Sequence, residues 1–295
     1  MNKITYNNSI NISKSAVALG KFEGLHNGHM ILIDRIISLS KDNNLNSVLF
    51  AIDMNSDKVL NTNEERENIL TKKGIDYLVE CKFSKEFAEM TPEEFVKQVL
   101  IANLNVAYVV VGTDFRFGHK RMGDVNLLIE YGQKYGFEVI PVEKLSVNDI
   151  IVSSSYIKSM LEAGNVSDIE KYSGRKYSIS GIVFHGKMIG RTIGYPTINL
   201  IADDKKIIPA VGVYETLVEF DGETYKGVTN IGTNPTVSSG NNITIETNII
   251  DFDGDLYDKR VTIYFVRHIR NQKKFNSIDE LKIQITRDKE SVMHQ

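Results

Sequence analysis

The hydrophobic pattern of this chain changes period near residue 175, and no single layer architecture accommodates both halves. Before that point strand and helix signals alternate. Ser15–Leu19 reads as a strand entering a Gly-rich loop, residues 30–39 are apolar at helical spacing, and 47–52 reads as a second strand. Asn63 is placed to cap a helix with Glu64 and Glu65 in its first turn and Gly74 as its stop. Thr91-Pro92-Glu93-Glu94 is a capping box with proline at the first helical position, and that helix turns Phe95, Val96 and Val99 inward. Residues 106–111 are β-branched on both faces, as a buried parallel strand requires, and 137–142 repeats the theme. Strands alternating with helices give an open α/β sheet with ligand at the carboxyl ends of its strands.

From Tyr177 onward helix signals vanish. Short β runs occupy 177–184, 211–220, 223–231, 243–249 and 260–266, with Asp221-Gly222 as a hairpin turn. A closing helix starts at Ser277, with Glu280 three residues on, and runs to about Ser291. This half is expected to form a small antiparallel β-barrel plus one helix. The expected domains are 1–174 and 175–295, joined by a short linker around 165–176.

Composition narrows the function. The chain of 295 residues carries a net charge of -3, so no global basic field draws nucleic acid or anionic membrane. Phosphate binding has to be local, made by loops and single cations. One cysteine, Cys81, excludes an internal disulfide, fits a reducing cytoplasm, and is expected in the core. The first 14 residues are polar and lack the apolar run of a signal peptide, and no apolar stretch is long enough to span a bilayer.

Two segments carry phosphate chemistry. In the first, Gly20-Lys21-Phe22-Glu23-Gly24-Leu25-His26-Asn27-Gly28-His29, a Gly-rich loop meets a helix. His26 and His29 fall on one side of the helical turn, at a terminus that already favours anions. The glycines allow backbone to approach a ligand. Solvated loop histidines are the alternative reading of these residues. In the second, Gly186 through Asn199, Gly186, Gly190 and Gly194 form a loop able to wrap phosphates, with Arg191 as a cation. Pro196 then extends the chain so that Thr197 and Asn199 share a face. Neutral oxygens so spaced suit Mg²⁺ that arrives on nucleotide phosphates.

The first segment resembles the HxGH adenylyltransferases and, more closely, the N-terminal module of bacterial bifunctional riboflavin kinase/FAD synthetases. Val111-Gly112-Thr113-Asp114-Phe115-Arg116-Phe117-Gly118 is similar to that family's flavin-side loop, and Ser153-Ser154-Ser155-Tyr156-Ile157-Lys158 to its second phosphate motif. A plain helix cap is the alternative for the serines. From about Lys176 the chain resembles the riboflavin kinase domain. Gly-Arg-x-x-Gly-x-Pro-Thr-x-Asn is followed in family order by residues 229–232, Pro235-Thr236, Glu246, residues 251–257, Arg267, Arg270 and Lys274-Phe275.

The resemblance implies two activities, riboflavin plus ATP to FMN and ADP, and FMN plus ATP to FAD and pyrophosphate. It implies Glu246 as general base, Thr197 and Asn199 as Mg²⁺ ligands, and Asp114, Phe115, Arg116, Phe117, Arg267 and Arg270 on the flavin side. His26, His29, Gly20, Lys21, Phe22, Gly28, Ser153, Ser154, Ser155 and Lys158 serve the adenylyl-transfer phosphates. Gly186, Gly190, Arg191, Gly194 and Pro196 serve those of the kinase. A ribityl hydroxyl needs a base, whereas the phosphate of FMN is already an anion, so a carboxylate in one site and donors in the other match the two nucleophiles. The chain departs from the family where Glu23 stands for Asp, Lys158 for Arg, Asn248 for His and Gln272 for Glu. It also lacks the Thr-Phe-x-Pro-His-Pro segment after the second strand. A kinase with a degenerate first domain is therefore one alternative. A flavin-responsive regulatory module is another, disfavoured by the absence of a basic, aromatic-rich surface.

Overall fold

A computed structural model describes residues 1–7, 10–53, 56–186, 194–233 and 243–294. Two compact units emerge, Met1–Ser153 and Ser154–Gln295.

The first unit is built on strands β1 (Asn2–Thr5), β2 (Ser15–Gly20), β3 (Asn46–Asp53), β4 (Tyr77–Lys82), β5 (Val106–Gly112) and β6 (Glu138–Val142). They form one sheet in the order β1-β4-β3-β2-β5-β6, with every neighbouring pair parallel. Alternation along β2 explains why both faces are apolar. Ala16 and Ala18 pack with Leu49, Ala51 and, from helix α1 (Asn27–Asn43), Ile33 and Ile36. Val17 and Leu19 face the other way, onto Val48, Phe50, Phe95, Val96 and Val99. Cys81 lies in this second cluster as a buried free thiol, and burial pushes its pKa up to about 12. The chain leaves β2 toward β3 on one side and later returns to β5 on the other. The crevice between the ends of β2 and β5 is thus the switch point where such sheets bind ligand.

The polar start of the chain carries no strand signal, yet Asn2–Thr5 adds a parallel edge strand to β4. Helix α2 (Asn63–Lys73) begins one residue earlier than its sequence suggests. Thr62, not Asn63, is the cap: its hydroxyl accepts from Glu65 N at 3.2 Å, and Glu65 accepts from Thr62 N at 3.0 Å. The carboxylate at the third helical position selects the cap, and Gly74 ends the helix at φ 81°. The Thr91 box forms as expected, with bonds of 2.8 and 3.3 Å to Glu94. After Pro92–Glu94 the helix widens to π geometry over Phe95–Asn103, which apolar spacing does not reveal.

The second unit opens with short helices at Ser154–Glu162 and Ile169–Ser173. The second of these occupies the segment expected as a linker, and Ile169, Tyr172 and Ser173 are buried there. Strands β9 (Ser178–Phe184), β10 (Ile198–Ala202), β11 (Gly212–Phe220), β12 (Glu223–Thr233), β13 (Ile243–Ile249) and β14 (Arg260–Arg270) close into an antiparallel barrel. Two short strands, β7 (Ser146–Val147) and β8 (Ile150–Ile151), precede them as a hairpin in the first unit. Asp221 and Gly222 take φ 50° and 83°, the positive pair of a tight hairpin turn between β11 and β12. Inside the barrel three fully buried threonines pass hydrogen bonds strand to strand, Thr216 to Thr229 and Thr229 to Thr247, each at 2.8 Å. The last helix, Ile278–Met293, is capped by Ser277 as expected. Glu280 reaches back to Asn276 N rather than Ser277 N, so the box is only half formed.

Candidate active sites

In the first unit the Gly-rich loop leaves β2 and enters α1. His26 is the N-cap, and its Nδ1 accepts from His29 N at 3.3 Å. The two imidazoles stack with centroids 3.7 Å apart, and His29 leans on Phe22 at 5.1 Å. The first turn of α1 holds no acidic side chain, leaving its positive end to an anion. The glycines act by making room rather than by adopting positive φ. A Cβ on Gly28 would stand 3.2 Å from the His26 ring, and one on Gly20 would stand 3.1 Å from the Phe22 ring. The left-handed residues are instead Phe22 (φ 49°) and Leu25 (φ 42°), both fully buried. Strain of about 1–3 kcal/mol at each such residue persists only where packing overrides it, as at ligand clamps.

Glu23 accepts from Leu60 N at 2.8 Å and Asn61 donates to the Glu23 carbonyl at 3.1 Å. The longer carboxylate thus ties the loop to the start of α2. Lys21 is exposed.

The loop after β5 emerges beside it, since β2 and β5 are paired neighbours. Asp114 and Arg116 are exposed, Asp114 pairing with Lys144 at 2.8 Å, while Phe115 is half-buried. Phe117 does not share this placement. It lies in the core against Phe95 at 5.4 Å, bridges to Gly123, and would be struck at 2.7 Å by a Cβ there. Phe117→Ala should therefore destabilise the protein by about 3–5 kcal/mol, whereas Arg116→Ala should change stability by less than about 0.5 kcal/mol. Denaturant unfolding of the two variants distinguishes packing from binding at this loop. Of the serine run, Ser153 closes the first unit, while Ser154, Ser155 and half-buried Lys158 begin the helix of the second. The Val152 carbonyl would lie 4.0 Å from a Cβ on Gly28, which brings the start of the run near the histidines.

In the second unit strand register assembles the site. Asn199 stands opposite Glu246, and Glu246 opposite Asn230. Opposed residues of antiparallel strands share a face, so these three form a row on the outside of the barrel, while Thr247 and Thr229 point inward. A cavity of about 330 Å³ lies over Glu246 and Asn230 of this row, beneath the last helix, while Asn199 lines neither this cavity nor the next. Tyr195, Thr197, Glu246, Asn248, Arg270 and Phe275 help to line the first. A second cavity of about 320 Å³ is lined by Pro196, Thr197, Phe252, Asp253, Leu256 and Tyr257 among others. Thr197 borders both. Tyr257 stacks on His185 at 3.6 Å. Gly186 closes tightly over Asn199, and a Cβ there would stand 2.3 Å from the amide nitrogen. Gly194 takes φ 87° with open space about it. Gly190 and Arg191, like Pro235 and Thr236, lie outside the described residues.

The two arginines expected on the flavin side part company. Arg270 lines the cavity while held by buried Asp288 through bonds of 3.1, 3.1 and 2.8 Å. Arg267 lines neither cavity. It bonds Glu215 at 2.6 Å and the Ser291 carbonyl at 2.9 Å, fastening the last helix to the barrel. Asn230, Tyr195 and His185 were not singled out from sequence. Only strand register, or a contact distant in sequence such as Tyr195 Oη to Thr286 Oγ1 at 2.6 Å, identifies them.

Residues 9–156 match the family model described as FAD synthetase, and residues 173–295 match that described as riboflavin kinase. A bifunctional riboflavin kinase/FMN adenylyltransferase from Buchnera aphidicola (subsp. Schizaphis graminum) is 36% identical over 95% of this chain and 93% of its own length. The chain belongs to the bifunctional riboflavin kinase/FMN adenylyltransferase family. Members from Bacillus subtilis, at 34% identity over 95% of this chain and 92% of theirs, and from Escherichia coli K12, at 33% over 92% and 90%, agree with that placement. A crystal structure described as a macrolide-efflux protein from Streptococcus pneumoniae superposes with a TM-score of 0.92 at 31% identity, covering 99% of each chain. It matches the family fold from end to end, but its description differs from the flavin enzymes. Among the described residues of this chain no helix is long and apolar enough to cross a membrane.

Proposed function

We propose that this chain makes FMN from riboflavin and ATP in residues 175–295, and FAD from FMN and ATP in residues 1–174. The observation that carries the kinase reading is Thr197, shared by two cavities of similar volume, with Glu246 on the wall of one. Phosphoryl transfer needs two substrates meeting at one point. The cavity of Phe252 and Tyr257 suits the nucleotide base. The cavity of Glu246 and Arg270 suits the flavin, with its ribityl chain directed toward Thr197. Glu246 takes the proton of the ribityl hydroxyl as that oxygen bonds to the γ-phosphorus and ADP leaves.

Thr197 and Asn199 fit a phosphate-borne Mg²⁺ by the chemistry of their donors: both are neutral oxygens, and the missing side chain at Gly186 lets its backbone lie directly against the Asn199 amide. When bound, Mg²⁺ neutralises charge building on the phosphate oxygens. In the first unit, an oxygen of the FMN phosphate bonds to the α-phosphorus of ATP and pyrophosphate leaves. No base is required. The N-terminus of α1, with His26 and His29, supplies donors to the phosphate oxygens. ATP in both steps and a single buried cysteine fit a cytoplasmic location.

The test is a product assay by chromatography with ATP, Mg²⁺ and either riboflavin or FMN. FAD from both substrates is expected. FMN from riboflavin with no FAD from either would limit catalysis to the second unit. No FMN from riboflavin would overturn the kinase reading.

A further inference from the structure

We propose that Asn248 is a positioning residue for phosphoryl transfer, acting on Thr197 through the Pro196 carbonyl. The proposal rests on the kinase reading above and adds a part to that site. Asn248 lies two residues past Glu246 on β13, on the same outer face, and lines the same cavity. Its Nδ2 donates to Pro196 O at 2.6 Å, across 52 residues of sequence. That carbonyl belongs to the planar peptide whose nitrogen is that of Thr197, so fixing it fixes the plane from which Thr197 departs.

Little else among the described residues holds this point. Pairing of β10 with β13 begins at Ile198, opposite Thr247, so Thr197 lies one residue beyond the ladder. Pro196 has no N–H to contribute. On the other flank, Tyr195 is tied to Thr286 of the last helix. Asn248 therefore braces the segment from the barrel side, and the last helix braces it from above.

The chemistry of the amide argues for a role beyond packing. Asn248 is 6% exposed, and its Oδ1 is buried with no hydrogen-bond partner among the described residues. An apolar side chain of the same size would fill the place without stranding an acceptor. What an apolar side chain lacks is the bond to Pro196.

The test compares Asn248→Leu, which keeps volume and removes the donor, with Asn248→His, which offers a ring N–H. For Asn248→Leu, the kcat of riboflavin phosphorylation should fall about 10–100-fold. Its KM for riboflavin and its melting temperature should stay near the parent's. Asn248→His should recover most of the loss. Calorimetric titration with ADP, with and without Mg²⁺, gives a readout independent of turnover. Asn248→Leu should weaken the Mg²⁺-dependent ADP site of the second unit, while the adenylyl-transfer site serves as internal reference.

Parental kcat and ADP binding in Asn248→Leu would overturn the proposal. So would a loss confined to KM for riboflavin, or one that follows a lowered melting temperature and is not rescued by His. If the parent protein phosphorylates no riboflavin, the kinase reading fails, and the ADP titration still decides whether Asn248 positions a metal-nucleotide site.

Discussion

Glu246→Gln is expected to cut FMN formation from riboflavin by about 10²–10⁴-fold, the usual contribution of a positioned base. FAD formation from supplied FMN should be unchanged. The substitution keeps the shape of the side chain, so the row of Asn199, Glu246 and Asn230 and the cavity beneath the last helix should survive. What is lost is the capacity to take a proton. A ribityl hydroxyl ionises so weakly at neutral pH that its attack depends on that capacity, whereas the FMN phosphate is already an anion. The two activities, assayed in one protein sample, therefore serve as controls for each other. Kinase turnover at the parental rate would remove Glu246 from the role of base. Equal loss of both activities would point to misfolding.

The reverse pattern is expected for His29→Ala: a fall of about 10²–10³-fold in adenylyl transfer, as for loss of one preorganised donor, with riboflavin phosphorylation intact. His29 enters the cap only through its backbone N–H, which alanine keeps, whereas the His26 ring is the acceptor of that bond. His26→Asn separates the cap from the ring. Asparagine is among the preferred caps, so α1 should start normally, yet the donor and the stacked ring are gone and adenylyl transfer should still drop. If both variants made FAD at the parental rate, phosphate binding at the head of α1 would have to be abandoned.

Sequence reveals these sites unevenly, for physical reasons. Thr91-Pro92-Glu93-Glu94 was legible because every capping interaction lies within one turn. At Thr62, two adjacent residues both suit a cap, and only the position of Glu65 decides between them. Strand β1 was hidden by its polar residues, which suffice at an edge paired on one side. The loop after β5 shows the limit of motif reading. Phe115, Arg116 and Phe117 are consecutive and look alike in function, yet one sits in the core because Gly123 leaves room for its ring. The row at the proposed kinase site is the clearest case. Thr197, Asn199 and Glu246 were each visible, but that Glu246 faces Asn199 and Asn230 follows only from register.

That register limits how the chain can change length. Strand faces alternate residue by residue, so one residue inserted in β13 ahead of Glu246 would turn the carboxylate into the barrel and bring Thr247 out to the face, at the place of Asn248. The buried chain of Thr216, Thr229 and Thr247 would be broken by the same shift. A closed barrel has no free edge along which a slipped strand could find new partners. Insertions and deletions should therefore be tolerated in the connections between strands, such as Asp221-Gly222, and rejected within β10, β12 and β13.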